Sequence, residues 1–324
     1  PGMVCADGTS SYVTLTAREG ATDLLVYLSG GGACWSKKSC EEGFATSLTR
    51  KPPSIDWNKG EGIFDHSDPA NPFRAGYHIV GVPYCTGDVF AGDREINYGS
   101  DTNPYIVRHR GYANSLLAFK AAKEIFDNPE RVVLLGQSAG GMGTYFHLRS
   151  VATLFPDSKT YVINDAGIPF KQPHLPQETI EKLSKNWGVR EVLLRLLIDG
   201  KGVPLDFGEL IRWNKENFPA VRYGLVASYK DPTMSFFALA LNAPSPFTVV
   251  RKTLIDAFQN DIGNDSASSK VFYLNDSVHT HFGKPLDRVV SGEEKLNVWL
   301  NRMLEDEESW GNVGVVKSLR QQEF

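Results

Sequence analysis

Short apolar runs alternate along the chain with longer segments whose apolar residues recur at helical spacing. Residues 132–135 (VVLL), bounded by Gly136, have the pattern of a strand buried on both faces of a parallel sheet. Similar runs at 12–17, 24–29 (LLVYLS), 78–84 (HIVGVPY), 160–164, 222–228 (RYGLVAS) and 270–274 (KVFYL) predict further strands. Helices are predicted over 111–125, closed by Asn128 and Pro129, and over 233–242, 246–259 and 293–303. Between Pro169 and Pro219 the pattern becomes amphipathic, clearest in QETIEKLSKNW and VREVLLRLLI. Residues 50–77 are rich in Pro, Asp, Asn and Gly without an apolar period, which predicts a long surface loop. Such alternation predicts an α/β fold with a mostly parallel central sheet and helices on both faces. One domain over residues 1–324 is expected, with a helical cap inserted at about 170–220 and more helices at about 232–260.

Composition narrows the partners. With 41% hydrophobic and 22% charged residues, the 324-residue chain can bury a large core. A net charge of −4 and the lack of a Lys/Arg-rich run speak against nucleic acid. The longest apolar runs, such as 236–241, fall well short of the ~20 residues of a membrane-spanning helix. Cys5, Cys34, Cys40 and Cys85 have no zinc-like spacing. Their even number suggests two bridges, with three possible connectivities, and an oxidising compartment; four free thiols are the alternative. A chain starting at Pro1 without a charged or apolar leader fits a mature secreted or periplasmic protein, and fits a trimmed chain equally. A monomer is the default expectation.

Candidate chemistry centres on residues 136–141 (GQSAGG). Gly136, Ser138 and Gly140 spell G-x-S-x-G at a strand-to-helix turn, where small neighbours let the backbone take a strained elbow that exposes a nucleophilic serine. An ordinary turn shares the bare pattern, so a base, an acid and an oxyanion hole are needed. Three glycines follow LLVYLS, and Gly31 and Gly32 are candidate oxyanion donors together with the Ala139 N–H; a flexible loop is the alternative. In a parallel sheet the functional groups sit on loops at the carboxyl ends of strands. The loop after the last strand, NDSVHTHF, holds His279 and His281, and Asp231 follows RYGLVAS. Ser138, Asp231 and His279 then stand in the chain order of α/β-hydrolases, as nucleophile, acid and base. With LLVYLS taken as the third strand, RYGLVAS is the seventh and KVFYL the eighth, so Asp231 ends the strand beside the histidine's. Asp165, at the end of the sixth, is the rival acid, more plausibly a hydrogen-bonding support for the elbow or the substrate. Asp276 is too close to the histidine along the chain. If the loop is extended, His279 and His281 face opposite ways and only one meets Ser138. His66, His78, His109, His147 and His174 read as packing or surface groups, and Asp88 and Asp93 as turn formers rather than a metal loop. No metal and no cofactor are called for.

LLVYLSGGGACWSKKSC, VPYCTGDVFAGD, GQSAGGMG, INDAG and the late histidine loop, in this order, resemble the pectin acetylesterase family of serine carboxylesterases, which includes the animal carboxylesterase Notum. The resemblance runs from Cys5 to about His281. It implies an α/β-hydrolase-like fold, Ser138, Asp231 and His279 as triad, Gly32 and Ala139 as oxyanion donors, and bridges Cys5–Cys85 and Cys34–Cys40. It also implies a secreted enzyme that forms an acyl-enzyme and removes O-acetyl groups from pectin-like polysaccharide, with longer acyl or aryl esters as the second enzymatic reading and an inactive binding protein as the reading from another class. Two departures bear on the acyl pocket: Notum has tryptophan at the position of Gly32, and GQSAGG replaces the more usual GSSAGG. Residues 170–260 diverge most and are expected to shape the substrate site.

Overall fold

The computed structural model describes residues 2–49, 60–196, 206–262 and 267–316. In chain order the strands are β1 (Thr14–Thr16), β2 (Asp23–Leu28), β3 (Tyr77–Val82), β4 (Arg94–Asn97), β5 (Ile106–His109), β6 (Arg131–Gln137), β7 (Lys159–Asp165), β8 (Arg222–Ser228), β9 (Ser269–Leu274), β10 (Val290–Ser291) and β11 (Glu294–Lys295). Helices are α1 (Lys37–Glu41), α2 (Gly111–Ile125), α3 (Ala139–Leu154), α4 (Gln177–Trp187), α5 (Val189–Leu196), α6 (Phe207–Asn217), α7 (Pro232–Ala240), α8 (Pro246–Asp256) and α9 (Leu296–Leu304). Seven strands form one sheet in the order β1-β3-β2-β6-β7-β8-β9. Within this sheet, among the described residues, only β1 runs antiparallel.

The central strands are buried along both faces, which is why they read as unbroken apolar runs. Alternate residues serve two separate cores. Leu24, Val26, Val132 and Leu134 face Phe119 of α2 and Leu148 of α3, while Leu25, Tyr27, Val133 and Leu135 face Trp299, Leu300 and Met303 of α9. Strand order reverses at β2, which lies between β3 and β6. Ligands of open parallel sheets bind outside the carboxyl ends of strands at such a switch. Helices α4, α5 and α6 fall between β7 and β8, so the amphipathic insertion leaves and rejoins the sheet at adjacent strands.

Several expectations shift. Of residues 50–77, 50–59 lie outside the described residues; the rest is mainly turns that expose Glu61, Ser67, Pro69 and Arg74 yet bury other side chains. Ile63 and Phe73 are fully buried there, and the Asn71 amide donates to the carbonyls of Ile63 and Asp65. Two apolar anchors in a polar stretch are too sparse to register as a period. The strand at 12–17 shrinks to three edge residues of intermediate exposure. The closing helix starts at Leu296, because residues 290–295 form the ribbon β10–β11. The hairpin β4–β5 has too few residues to show an alternating pattern. The end of VREVLLRLLI, residues 197–198, lies outside the described residues. Among the described residues no helix is long and apolar enough to cross a membrane.

Both cysteine pairs are bridged, Cys5 to Cys85 and Cys34 to Cys40. Cys5–Cys85 closes a separation of 80 residues, which by loop entropy contributes about 4 kcal/mol, against less for the six-residue ring. Non-reducing peptide mapping is expected to recover both pairs with no alkylatable thiol. Four labelled cysteines in the native protein would contradict the pairing.

Asp88 is a fully buried turn former: its carboxylate accepts from the Thr86 hydroxyl and the N–H groups of Phe90 and Gly111. Burial pushes its acid up to about 6. Two histidines are buried as neutral rings, His109 pushed down to about 4 and His147 to about 3 by desolvation. The His147 Nε2–H donates to the Phe90 carbonyl at 2.9 Å, and its ring stacks on Tyr112. A histidine depressed in the folded state takes up its proton first when unfolded, so its contribution is complete above ~6.5 and is lost as pH falls toward its folded value. Asp88 acts oppositely, losing its contribution as pH rises from ~4 to 6. His147→Gln keeps the donor to Phe90 and removes the titration. The stability gap between wild type and this variant, from urea titrations, is therefore expected to shift by about 3 kcal/mol in the variant's favour between pH 7 and pH 4. A gap independent of pH would contradict the neutral, buried state of His147.

Candidate active site

Ser138 joins β6 to α3 with φ 52° and ψ −115°, a strained backbone for a residue with a Cβ. Glycine neighbours make the elbow possible. At Gly140 a Cβ would stand 2.0 Å from the Leu28 carbonyl oxygen, so only glycine lets α3 start against the end of β2. The Ser138 N–H donates to the Asp165 carbonyl at 2.7 Å, fixing the elbow on β7.

Three side chains meet above this turn. The Ser138 hydroxyl lies 2.8 Å from His279 Nε2, and His279 Nδ1 lies 2.7 Å from Asp231 Oδ2. A carboxylate can only accept, so Nδ1 carries the proton and Nε2 is left to accept from the serine. Asp231 is fully buried and caps α7, its Oδ1 accepting from the Met234 N–H at 2.9 Å with Pro232 at the first helical position. Both oxygens are thus committed, one to the helix and one to the histidine.

The glycine loop is a fixed structure. Gly32 has φ +70°, and a Cβ there would come within 2.0 Å of the Phe44 carbonyl oxygen. The Gly31 carbonyl accepts from the Thr46 N–H, and the Ala33 and Cys34 N–H groups bond to Phe44 and Gly87. The Cys34–Cys40 bridge closes the same segment around α1. Ala139, as the first residue of α3, has an N–H with no intrahelical acceptor.

Two spaces open from Ser138. One is apolar and runs beneath the inserted helices, lined by Trp35, Ala139, Met142, Phe170, Leu175, Trp187, Phe207 and Phe237. A second apolar chamber adjoins it, sharing Phe170, Leu175, Leu183, Trp187 and Phe207 and reaching Leu193 and Leu210. The other is a broad open cleft lined by Gly31, Gly32, Glu42, Thr46, Thr233, Phe236, His279 and Thr280.

His281 turns away from Ser138. Its buried Nε2 lies 2.8 Å from the Ser228 hydroxyl, which donates in turn to Asp276 at 2.6 Å. Asp165 does not meet His279 Nδ1; its carboxylate accepts from backbone N–H groups of the histidine loop.

The family model for pectinacetylesterases matches residues 1–187. The chain belongs to the pectinacetylesterase family. Among the family's relatives, palmitoleoyl-protein carboxylesterase notum1a of Danio rerio is 28% identical over 212 residues, covering 57% of this chain and 40% of that protein. Pectin acetylesterase 4 of Arabidopsis thaliana is 27% identical over 176 residues, 51% of this chain and 41% of that protein. The chain thus spans about two fifths of the length of these relatives. In three dimensions the Wnt deacylase Notum from Drosophila superposes with a TM-score of 0.68 at 17% identity, covering 97% of this chain and 93% of that one, which shows the shared α/β-hydrolase-like fold. The glycine loop and the elbow both lie inside residues 1–187. Asp231 and His279 lie beyond that match. The sequence placed the shaping of the substrate site in residues 170–260, which supply much of the chambers' lining, but not the chambers themselves, whose lining is drawn from six separate segments and leaves no local pattern.

Proposed function

We propose that the protein is a secreted serine carboxylesterase of one α/β-hydrolase domain with a helical cap, acting through an acyl-enzyme on acylated polysaccharide of the pectin type. The observation that carries the reading is the continuous Ser138–His279–Asp231 chain at 2.8 and 2.7 Å. In it the Ser138 Oγ–H proton passes to His279 Nε2 while Oγ attacks the ester carbonyl carbon. Asp231 holds the Nδ1–H tautomer and stabilises the imidazolium. The N–H groups of Ala139 and of Gly31 or Gly32 receive the oxyanion, and the rigidity of the glycine loop spares reorganisation during the step. Collapse breaks the ester C–O bond, and the leaving alkoxide takes the proton from His279. Water then repeats the sequence on the acyl-serine, releasing the carboxylic acid and restoring Ser138.

The two spaces support an acyl group on one side and a polar alcohol on the other. Thr46, Thr233 and Thr280 and the aromatic residues Phe44 and Phe236 line the open cleft, a combination suited to sugar hydroxyls and C–H faces. The apolar chambers favour a second reading in which the acyl group is longer than acetyl. Acetate release from acetylated pectin, xylan and chitin, measured beside nitrophenyl esters of increasing chain length, separates the two. Preference for acetylated pectin supports the first reading, and a kcat/KM rising with chain length replaces it by the second. No turnover of any ester contradicts both.

A further inference from the structure

We infer that Asp165 is the positioning residue that sets the distance between Ser138 and His279. It rests on the reading of these two as nucleophile and base. Asp165 ends β7 beside Gln137, which precedes the elbow. Its carbonyl accepts the Ser138 N–H at 2.7 Å, while its side-chain Oδ2 accepts the N–H groups of His281 at 2.8 Å and Phe282 at 2.9 Å, and the Gln137 amide at 3.1 Å. One buried residue thereby grips the elbow by its main chain and the histidine loop by its side chain. The loop has a second anchor in the His281–Ser228–Asp276 chain. With its N-terminal end rising from β9 and its C-terminal end tied to Asp165, the segment carrying His279 is fixed relative to Ser138.

The two oxygens of Asp165 differ. Oδ2 has three donors, and the buried Oδ1 has no partner among the described residues. Burial raises the acid, while the hydrogen bonds from the histidine loop and the Gln137 amide act the other way. What the site uses is one carbonyl-like acceptor in the Oδ2 position, and an asparagine supplies it with its amide in place of Oδ1. Asp165 therefore differs in kind from Asp231, both of whose oxygens accept.

The test compares Asp165→Ala, Asp165→Asn and Asp231→Asn with wild type for kcat, KM and the downfield proton signal of the His279 Nδ1–H. Asp165→Ala is expected to lose kcat on the order of 10²-fold at unchanged KM, as displaced catalytic groups do, and to broaden or lose the imidazole signal. Asp165→Asn is expected to restore both, whereas Asp231→Asn stays slow. If the alanine variant fails to fold, Asp165→Ser, too short to reach the loop, is read in its place. A folded Asp165→Ala or Asp165→Ser with wild-type kcat and imidazole signal overturns the inference, and so does an Asp165→Asn as slow as Asp231→Asn. The imidazole signal is read without substrate, so a wild type that turns over no ester defeats the functional reading while the signal still decides the positioning role.

Discussion

Ser138→Ala is expected to lower kcat on the order of 10⁶-fold, the loss found when a triad nucleophile is removed and only binding and oxyanion contributions are left. The fold should survive. Among the described residues the Ser138 hydroxyl makes its hydrogen bond to His279 alone, while the contacts that build the elbow are backbone: the Ser138 N–H on the Asp165 carbonyl and the close approach of Gly140 to Leu28. An alanine meets the same strain at φ 52° as the serine it replaces. Circular dichroism and a thermal melt matching wild type, beside an ester assay reduced to background, check this outcome. Turnover near wild type in the variant would remove Ser138 from the chemistry.

Asp231→Asn is expected to cost on the order of 10⁴ in kcat. The asparagine has one acceptor where the aspartate uses two. If its oxygen keeps the Met234 N–H at the start of α7, its amide faces His279 Nδ1 and forces the other tautomer, whose protonated Nε2 cannot accept from Ser138. If its oxygen turns to His279 instead, the cap of α7 is lost at about 1 kcal/mol. The melting temperature thus moves little in either case, and the loss of kcat follows from the first arrangement, in which the cap of α7 is kept and the histidine tautomer is reversed. An Asp231→Asn enzyme with wild-type kcat would detach the carboxylate from the mechanism.

What the sequence made legible follows the range of the interaction. The elbow is a local event: five consecutive residues contain both the reactive group and the small neighbours that its backbone needs, so spacing alone points to Ser138. Asp231 was reached by counting strands, which works because β6, β7, β8 and β9 lie side by side in chain order. The count began at three, whereas the described sheet has only β1 before β2; adjacency on the other side of the sheet does not depend on that start. The cysteine spacing by itself left three pairings open. Resemblance implied Cys5–Cys85 and Cys34–Cys40, which the structure forms. Asp165 was legible as a strand end and only loosely as a support. Its partners are backbone N–H groups 116 and 117 residues away, and a bond to a main-chain donor leaves no requirement on the partner's identity. The same holds for Asn71, whose amide organises a loop that composition marks as superficial.

The central claim, that Ser138 is a nucleophile activated by His279, is tested most directly by labelling with a fluorophosphonate and locating the adduct by peptide mass spectrometry. The account predicts one stoichiometric adduct on the peptide containing Ser138, absent in Ser138→Ala and formed far more slowly in His279→Ala, with His281→Ala still labelling. An unlabelled wild type, an adduct on another serine, or undiminished labelling in His279→Ala would contradict it.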